Sequence, residues 1–358
     1  MMIGLIGAPN HGKSTLFNAL TMAGAEVASR PFTTIKPNEG VGYVRVKSLR
    51  EDESPVKGYS KDGNRFIPIR LLDVAGLVPG ASEGRGLGNQ FMNDLVQADA
   101  FILVVDASGS TDEEGSDVTG YGPMKVVEVI LKEVNDWFYL IVERNWETVR
   151  KKDKPLKLLA EKLSGLGIKD LDVKAAGEIG DDLKAFSKKL LSISKPYIIA
   201  ANKADKGCKL DSEPVSAIIE LTLRDADAKG FISYVPGERS FKVIKELSDK
   251  QEQGLAFVKL FLDKQSTGVE LINRLVFDVL KCVVVYPVMD EHKWTDVKGN
   301  VLPDAHLMPA GSTALDLAYK VHNDIGNGFI KAIDCKTHKA LGKDYVLKNN
   351  DVIKILSH

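Results

Sequence analysis

The octapeptide GAPNHGKS at residues 7–14 constrains this chain most strongly, because it fits the pattern G-x-x-x-x-G-K-[ST]. The apolar run MIGLIG lies directly before it, and KSTLFNALTMAG, which has the pattern of a helix ending at Gly24, follows it. A strand, a glycine-rich loop and a helix in this order form a phosphate-binding loop, in which backbone N–H groups and the helix N-terminus face the anion. With these flanking elements, a chance glycine-rich turn is a poor explanation of the match.

Each residue type in this loop has a predicted role. Lys13 would neutralise β- and γ-phosphate oxygens, and Ser14 would ligate Mg²⁺. Gly7 and Gly12 would permit unusual backbone angles and a close approach to phosphate. His11 is interpreted as a structural residue on the outer side of the loop and not as a catalytic base. The loop residues assigned to nucleotide binding are Asn10, His11, Gly12, Lys13, Ser14 and Thr15.

Three further runs, at 65–74, 99–107 and 197–201, are strand-like and nearly continuous in apolar character. Such strands are typical of a parallel sheet that is covered on both faces. Helical stretches lie between them, so the predicted fold class is α/β.

The tetrapeptide NKAD at 202–205 follows the last of these strands and identifies the base. The Asp205 carboxylate would accept two hydrogen bonds, from the N1–H and the 2-amino group of guanine. Adenine offers neither donor and would leave the carboxylate unpaired, which is costly. Asn202 and Lys203 would brace the loop and flank the ring. The sequence therefore predicts guanine nucleotides, GTP and GDP, as ligands.

Two segments have the pattern of nucleotide-sensing switches. In DVAG (73–76), Asp73 would reach Mg²⁺ through water, and the Gly76 N–H would sense the γ-phosphate. In PFTTI (31–35), Thr34 is favoured over Thr33 as a Mg²⁺ ligand. The predicted metal ligands are thus Ser14, Thr34 and Asp73, and the predicted catalytic residues are Lys13, Thr34 and Gly76.

Ser216 and Ala217 are predicted to contact guanine O6 through backbone N–H groups. Only ten residues separate Asp205 from Ser216, whereas a parallel crossover that contains a helix usually needs at least about 10–12. Either the crossover is trimmed here, or residues are missing from it.

Together, GAPNHGKS, PFTTI, DVAG, NKAD and SA resemble the motif set of a translation-factor-class GTPase. The switch sequence DVAGLVPGASEGRGLGNQF resembles the Obg-related GTPases, and the YchF branch above all. VVVYPV and PAGSTALDLAYKVHNDIGNGFIKAI resemble the TGS domain, a ubiquitin-like β-grasp module. The resemblance implies an α/β phosphate-loop GTPase domain, a helical insertion and a C-terminal α+β domain, with ribosome or RNA association through the last two.

We expect four segments: the first part of the GTPase domain at 1–112, the helical insertion at 113–195, the second part with linking helices at 196–282, and the TGS domain at 283–358. The insertion carries apolar residues near helical spacing and a basic run, RKKDKPLK, at 150–157. We favour helices with one packed and one solvated face, and the alternative is a dedicated contact of the basic run with RNA or protein.

The intact NKAD motif departs from the bacterial and eukaryotic YchF proteins, in which this motif is degraded and ATP is preferred. The chain therefore resembles an archaeal-style branch, and we expect a GTP-hydrolysing switch. The two alternatives are a YchF-type ATPase and a nucleotide-sensing RNA or ribosome adaptor with little turnover.

Many GTPases orient the attacking water with a glutamine after DxxG. Leu77 occupies that position. Its apolar side chain can neither orient nor polarise water, so slow intrinsic turnover is expected. Asn10 lies where related GTPases hold K⁺, an ion that would place positive charge on the transition state. The alternative is that Asn10 only fastens the loop. Arg85 is a less favoured source of charge.

The composition excludes several other classes. The formal net charge of -1 argues against nucleic-acid binding by bulk charge. Three scattered cysteines exclude a disulfide scaffold and suit the cytoplasm. No apolar run approaches the roughly 18–20 residues that span a bilayer, so we expect no membrane partner. Nothing in the sequence specifies an oligomeric state.

Overall fold

A seven-stranded central sheet organises the first three quarters of the chain, in a computed structural model that describes residues 1–21, 38–74 and 94–358. The strand order is β2-β4-β1-β5-β6-β7, with β3 paired to β4. The strands are β1 Met2–Ile6, β2 Glu39–Lys47, β3 Tyr59–Lys61, β4 Asn64–Asp73, β5 Ala100–Asp106, β6 Tyr197–Asn202 and β7 Glu213–Pro214. β4, β1, β5, β6 and β7 run parallel. Their carboxyl ends therefore meet at one edge of the sheet, where the sequence places its motifs.

The four predicted apolar runs form β1, β4, β5 and β6, which confirms the α/β class. Every residue of β1 and β5 is buried, as expected for strands covered on both faces. β2 and β3 pair antiparallel with β4 and were not predicted.

Helix α1 (Lys13–Thr21) begins at the last residues of the phosphate loop. Its buried side chains Leu16 and Leu20 lie in the same apolar cluster as Ile3 and Leu5 of β1. This packing fixes the helix N-terminus at the carboxyl edge of the sheet. The predicted helix end at Gly24 lies outside the described residues.

Four helices form the helical insertion between β5 and β6: α2 Pro123–Val149, α3 Pro155–Leu163, α4 Asp170–Ala176 and α5 Leu183–Ser194. α2 buries Val126, Ile130, Val134 and Phe138 at spacings of four, which is the pattern of a helix with one packed face. These residues share a cluster with Leu103 of β5, so the insertion packs on the sheet. Most of the basic run at 150–157 is exposed.

The short connection between Asp205 and Ser216 contains no helix. A 3₁₀ turn, Ala204–Lys206, leads to β7, which pairs parallel with β6 through Ala200↔Glu213 and Ala201↔Pro214. In the chain as given, the parallel strands β6 and β7 are thus joined without an α-helix.

Linking elements lead to a second sheet. They are α6 Ala217–Ala228, β8 Ile232–Tyr234, β9 Phe241–Val243, α7 Asp249–Leu262, α8 Gly268–Asn273 and a π-helical turn at Arg274–Val279. The C-terminal sheet has the order β11-β10-β14-β12-β13. Its elements are β10 Val283–Val288, β11 His306–Met308, α9 Ala314–Val321, α10 Asn323–Asn327, β12 Phe329–Asp334, β13 Lys339–Leu341 and β14 Asp351–Ser357. β10 and β14 are parallel neighbours, and α9 begins with the capping box of Thr313 and Asp316. This is the predicted α+β arrangement.

Arg65 joins the two sheets, and its side chain is completely buried. Its guanidinium donates to the Leu302 carbonyl, donates to the Pro303 carbonyl at 3.3 Å and lies 3.3 Å from the Glu53 carboxylate. Tyr286 of β10 packs in the same cluster as Ile67 of β4. The C-terminal sheet is therefore attached to the central sheet by a shared core.

Across residues 1–21, 38–74 and 94–358, no helix combines the length and the apolar character needed to cross a membrane.

Candidate functional site

The phosphate loop passes close to two other elements, and its glycines are required for that reason. At Gly7, a Cβ atom would lie 2.6 Å from the Val104 carbonyl oxygen. Gly12 has a φ of +83°, and a Cβ there would lie 2.4 Å from the Asn202 amide nitrogen. Gly7 is not among the described glycines with positive φ, so the predicted unusual angle is wrong for it. Its close approach is to β5.

Lys13 and Asp73, predicted for phosphate and for Mg²⁺, form an ion pair with each other. Lys13 lies in the first turn of α1, and Asp73 is the last residue of β4. Ser14 is exposed next to Lys13, and Thr15 is half-buried. The Lys13 ammonium and the Asp73 carboxylate therefore neutralise each other. The pair lies where the phosphate oxygens of a nucleotide are expected to bind.

Asn202 connects the phosphate loop to the segment that follows β7. Its amide nitrogen donates to the His11 carbonyl at 3.0 Å, and its amide oxygen accepts from the Ala217 N–H at 3.0 Å. The bracing role predicted for Asn202 thus has a definite geometry. The Ala217 N–H, predicted for guanine O6, is engaged here by Asn202. Ser216 caps α6, its hydroxyl accepting from the Ile219 N–H.

Lys203 and Asp205 occupy the turn after β6. Lys203 has a φ of +58°, and its ammonium donates to the Asp106 carboxylate at 2.9 Å and to the Thr111 hydroxyl at 3.0 Å. The Asp205 side chain is half-buried, and it makes no hydrogen bond to any residue in the described ranges. Its carboxylate is therefore an unused acceptor at the carboxyl edge of the sheet.

Asp106, at the end of β5, is a central residue of the site that the sequence analysis missed. Its buried carboxylate accepts from the Ser108 N–H and from the hydroxyls of Ser108, Ser110 and Thr111 at 2.6–2.9 Å. Burial alone would raise the pKa of Asp106, but these hydrogen bonds and Lys203 outweigh it and hold the pKa well below the ordinary value. The signal was present as DASGST, a carboxylate and hydroxyls directly after an apolar strand.

His11 and Asn10 fasten the loop to the residues that precede the insertion. The His11 ring is fully buried; its Nδ1 accepts from the Asp106 N–H at 2.8 Å and its Nε2 donates to the Asp112 carbonyl at 2.9 Å. Because Nδ1 accepts a hydrogen bond it carries no proton, so the ring is neutral in this arrangement. Burial lowers the pKa of His11, in agreement with this. The role is structural, as predicted, but the ring lies inside the protein. The exposed Asn10 donates to the Gly115 carbonyl at 2.8 Å.

The remaining predicted residues lie outside the described residues. They are Thr33, Thr34, Gly76, Leu77 and Arg85. Their roles stay predictions.

A parallel sheet, a phosphate loop at a helix N-terminus, a carboxylate on the adjacent strand and the NKAD turn after β6 define a phosphate-loop nucleoside triphosphatase. Three family models match in order along the chain. They are "50S ribosome-binding GTPase" at residues 2–162, "Obg-like GTPase YGR210-like, G4 motif-containing domain" at 199–290 and "TGS domain" at 298–357.

Individual relatives match over nearly the full length. An uncharacterized GTP-binding protein of Methanocaldococcus jannaschii is 47% identical over 390 residues, with 99% of each chain covered. The ribosome-binding ATPase YchF of Escherichia coli O157:H7 is 30% identical over 388 residues, covering 99% of this chain and 98% of the other. The crystal structure of a GTP binding protein from Pyrococcus horikoshii OT3 is 34% identical, covers 100% of both chains and gives a TM-score of 0.78. The chain belongs to the YchF-like branch of the Obg-related GTPases.

Proposed function

We propose that this protein is a switch that binds GTP, hydrolyses it slowly to GDP and phosphate, and acts on ribosomes in the cytoplasm. The observation that carries the choice of base is the turn after β6. Asn202 and Lys203 are both fastened there, while the half-buried Asp205 carboxylate keeps its acceptor capacity. A fixed carboxylate without a protein donor suits the two N–H donors of guanine. The domain boundaries that belong to this proposed organisation lie after residues 112, 195 and 282.

Mg²⁺ fits the donors present at the phosphate loop. Ser14 offers a hydroxyl and Asp73 a carboxylate, the oxygen ligands that this ion prefers. When bound, the ion would neutralise charge on the phosphates. Thr34 is the proposed third protein ligand. Nucleotide binding would transfer the Lys13 ammonium from Asp73 to phosphate oxygens, which frees the carboxylate for the metal.

Hydrolysis is proposed to be slow because Leu77 cannot orient water, and K⁺ held by Asn10 is the proposed source of additional charge. The Asn10 amide nitrogen donates to the Gly115 carbonyl, and the amide oxygen is the atom that would ligate an ion. Replacing K⁺ with Na⁺ should slow turnover about ten- to a thousand-fold, with GDP affinity nearly unchanged.

Two substitutions separate the ion from the fastening role. Asn10→Ala should abolish the K⁺ response, whereas Asn10→Asp keeps an oxygen ligand, loses the Gly115 hydrogen bond and should retain the response. Equal rates in K⁺ and Na⁺ would reject the ion.

The ribosome as partner is supported by what related proteins and one matching family are known to bind. The Escherichia coli relative is named a ribosome-binding ATPase, and the model at 2–162 a 50S ribosome-binding GTPase. We infer contact through the C-terminal sheet and the exposed basic run of the insertion, which offer lysines to ribosomal RNA.

Two measurements test the proposal. Equilibrium binding of labelled GDP and ATP should show a clear preference for GDP, and equal binding would favour the ATPase alternative. Co-sedimentation with ribosomes should differ between GDP and a non-hydrolysable GTP analogue. Phosphate release that stays negligible with and without ribosomes would favour the adaptor alternative.

A further inference from the structure

A cavity of about 550 Å³ lies at the junction of the two sheets, and no residue of the phosphate loop lines it. On one side it is lined by Leu49 and Arg50, which follow β2, and on the other by residues around β10 and β12. Its volume is in the range of small-ligand pockets, about 300–1,000 Å³. None of the nucleotide-site residues described above lines it.

Three aromatic rings stand around this junction cavity. The rings of His292 and His338 have centroids 5.1 Å apart, and the Trp294 ring lies 5.9 Å from the Arg50 guanidinium carbon. Trp294 and His338 have φ values of +61° and +55°. Left-handed backbone is uncommon for residues other than glycine, and for a large side chain it is a genuine outlier. The fold thus holds two of these rings at the cavity at some conformational cost.

Arg50 supplies a flat, immobilised wall. Its Nε and Nη2 donate to the Asp52 carboxylate at 2.8 and 2.6 Å, and its Nη1 donates to the Lys293 carbonyl at 2.9 Å. These three hydrogen bonds lie in the guanidinium plane and fix it beside the Trp294 ring. A planar cation and planar aromatic rings are the groups on which nucleobases stack.

The floor is apolar and the rim is cationic. Cys335 is buried, and burial raises the pKa of its thiol to about 11, so the floor carries no charge at neutral pH. The one lining carboxylate, Glu291, is paired with Lys354 at 3.1 Å. Lys336 is exposed at the rim. The nearby Asp334 carboxylate accepts from the Lys336 backbone N–H and from the Thr337 hydroxyl, and no carboxylate in the described ranges forms an ion pair with the Lys336 ammonium. A ligand with a flat apolar body and an anionic group matches this arrangement.

We propose that the junction cavity binds one unpaired nucleotide of single-stranded RNA, with the base stacked against the histidine and tryptophan rings and a phosphate beside Lys336. Because His292, Lys336 and His338 are exposed, the cavity is open on their side, and a free mononucleotide would stay half-hydrated. A strand adds backbone contacts beyond the cavity, so RNA is the occupant to which the geometry points. The inference deepens the proposed ribosome contact by naming its RNA chemistry.

Fluorescence anisotropy with a fluorescein-labelled single-stranded hexaribonucleotide tests the site in the full-length protein. The variants are His292→Ala, His338→Asn, which keeps a residue that tolerates positive φ, and Lys336→Ala. Each ring removal should weaken binding by at least about fivefold, since stacking on an aromatic side chain is worth that much or more per base. Lys336→Ala should reduce the salt dependence of binding. His358→Ala and Lys259→Ala, exposed positions outside the cavity, the second on α7 and away from the proposed RNA-contacting surfaces, should leave affinity unchanged.

Several results would overturn the assignment. Equal affinity of the ring variants and the parent would show that RNA binds elsewhere. Equal binding of a duplex of the same sequence would show that no unpaired base is read. Displacement of the oligonucleotide by micromolar AMP would identify a free nucleotide as the occupant, and no measurable RNA binding would leave a protein segment as the better candidate.

GDP binding is measured in parallel and should be the same for all these variants. The two proposals therefore fail separately: RNA binding with no ribosome co-sedimentation would contradict the proposed function and keep the cavity assignment.

Discussion

The Asn202 side chain forms hydrogen bonds to two separate segments of the candidate site. Its amide oxygen and nitrogen join Ala217 to His11, so the base-reading and phosphate-reading segments are positioned by one side chain. The neighbouring Asp205 side chain makes no hydrogen bond within the described ranges, which fits the ligand-binding role proposed for it. Substitutions at the two positions should therefore have different effects.

Asp205→Asn should move specificity from guanine towards xanthine nucleotides, because an amide donates where a carboxylate only accepts. Hydrogen bonds to charged groups contribute about 1.5–3 kcal/mol, so GDP affinity should fall roughly 10- to 150-fold while XDP affinity rises. Calorimetric titration with GDP and XDP measures both. Asp211→Asn, an exposed carboxylate in the same loop, is the control, and an unchanged guanine preference in Asp205→Asn would show that Asp205 does not read the base.

At the scale of elements, β4 carries the Asp73 carboxylate at one end and the buried Arg65 near the other. Arg65→Met would leave the Glu53 carboxylate, whose side chain is 1% exposed, buried without its partner. Removing one member of a buried pair costs about 3–5 kcal/mol. We expect the double variant Arg65→Met/Glu53→Gln to recover part of that loss in urea unfolding.

The exposed pair Lys229–Asp225 provides the comparison, since Lys229→Met should cost less than about 1 kcal/mol. A double variant no more stable than Arg65→Met would contradict the role of the uncompensated carboxylate.

β11 adds a pH-dependent element through His306, which pairs with Val285 of β10. Burial lowers the pKa of His306 to about 4, whereas the unfolded chain has an ordinary pKa near 6.5. Below about pH 6.5 the His306 imidazole is therefore protonated in the unfolded state but not in the folded state. The free energy of unfolding falls as pH drops towards 4. Between pH 7 and pH 5 we expect a loss of about 2 kcal/mol from this residue.

Urea unfolding of His306→Gln at both pH values should show a smaller loss than the parent, with the exposed His322→Gln as control. Some loss should remain, because burial also lowers the pKa of His11. An identical pH dependence in parent and His306→Gln would contradict the prediction.

Which elements were predictable follows from the signals they carry. β1 and β5 are uniformly apolar, so both were found. Arg65 was missed because a charged side chain in a strand normally indicates a solvated position, and its carbonyl partners lie 237 and 238 residues away. The phosphate loop and NKAD were found because their chemistry is local. The Asp106 cluster was missed although its hydroxyl partners are local, because its fourth partner, Lys203, lies 97 residues away.

For the whole molecule, the shared apolar cluster decides how the chain unfolds. Leu5 of β1 and Leu16 of α1 lie in one cluster with Tyr286 and Val352 of the C-terminal sheet. Unfolding of either sheet would expose apolar side chains of the other sheet to water. We therefore expect both sheets to unfold in a single cooperative transition. Far-ultraviolet circular dichroism should coincide with the fluorescence of Trp294 in a Trp137→Phe/Trp146→Phe variant. An earlier Trp294 transition would show that the C-terminal sheet unfolds independently.

The two hydrogen bonds from the phosphate loop to Asp112 and Gly115 have a mechanical consequence. These carbonyls belong to the short segment that leads into α2, a helix of 27 residues and thus about 40 Å long. A displacement of α2 would therefore act on the loop through His11 and Asn10. We therefore expect that a large partner which displaces the insertion would change the affinity for nucleotide without contacting the nucleotide. By the same linkage, loss of nucleotide would change how the insertion is presented to that partner.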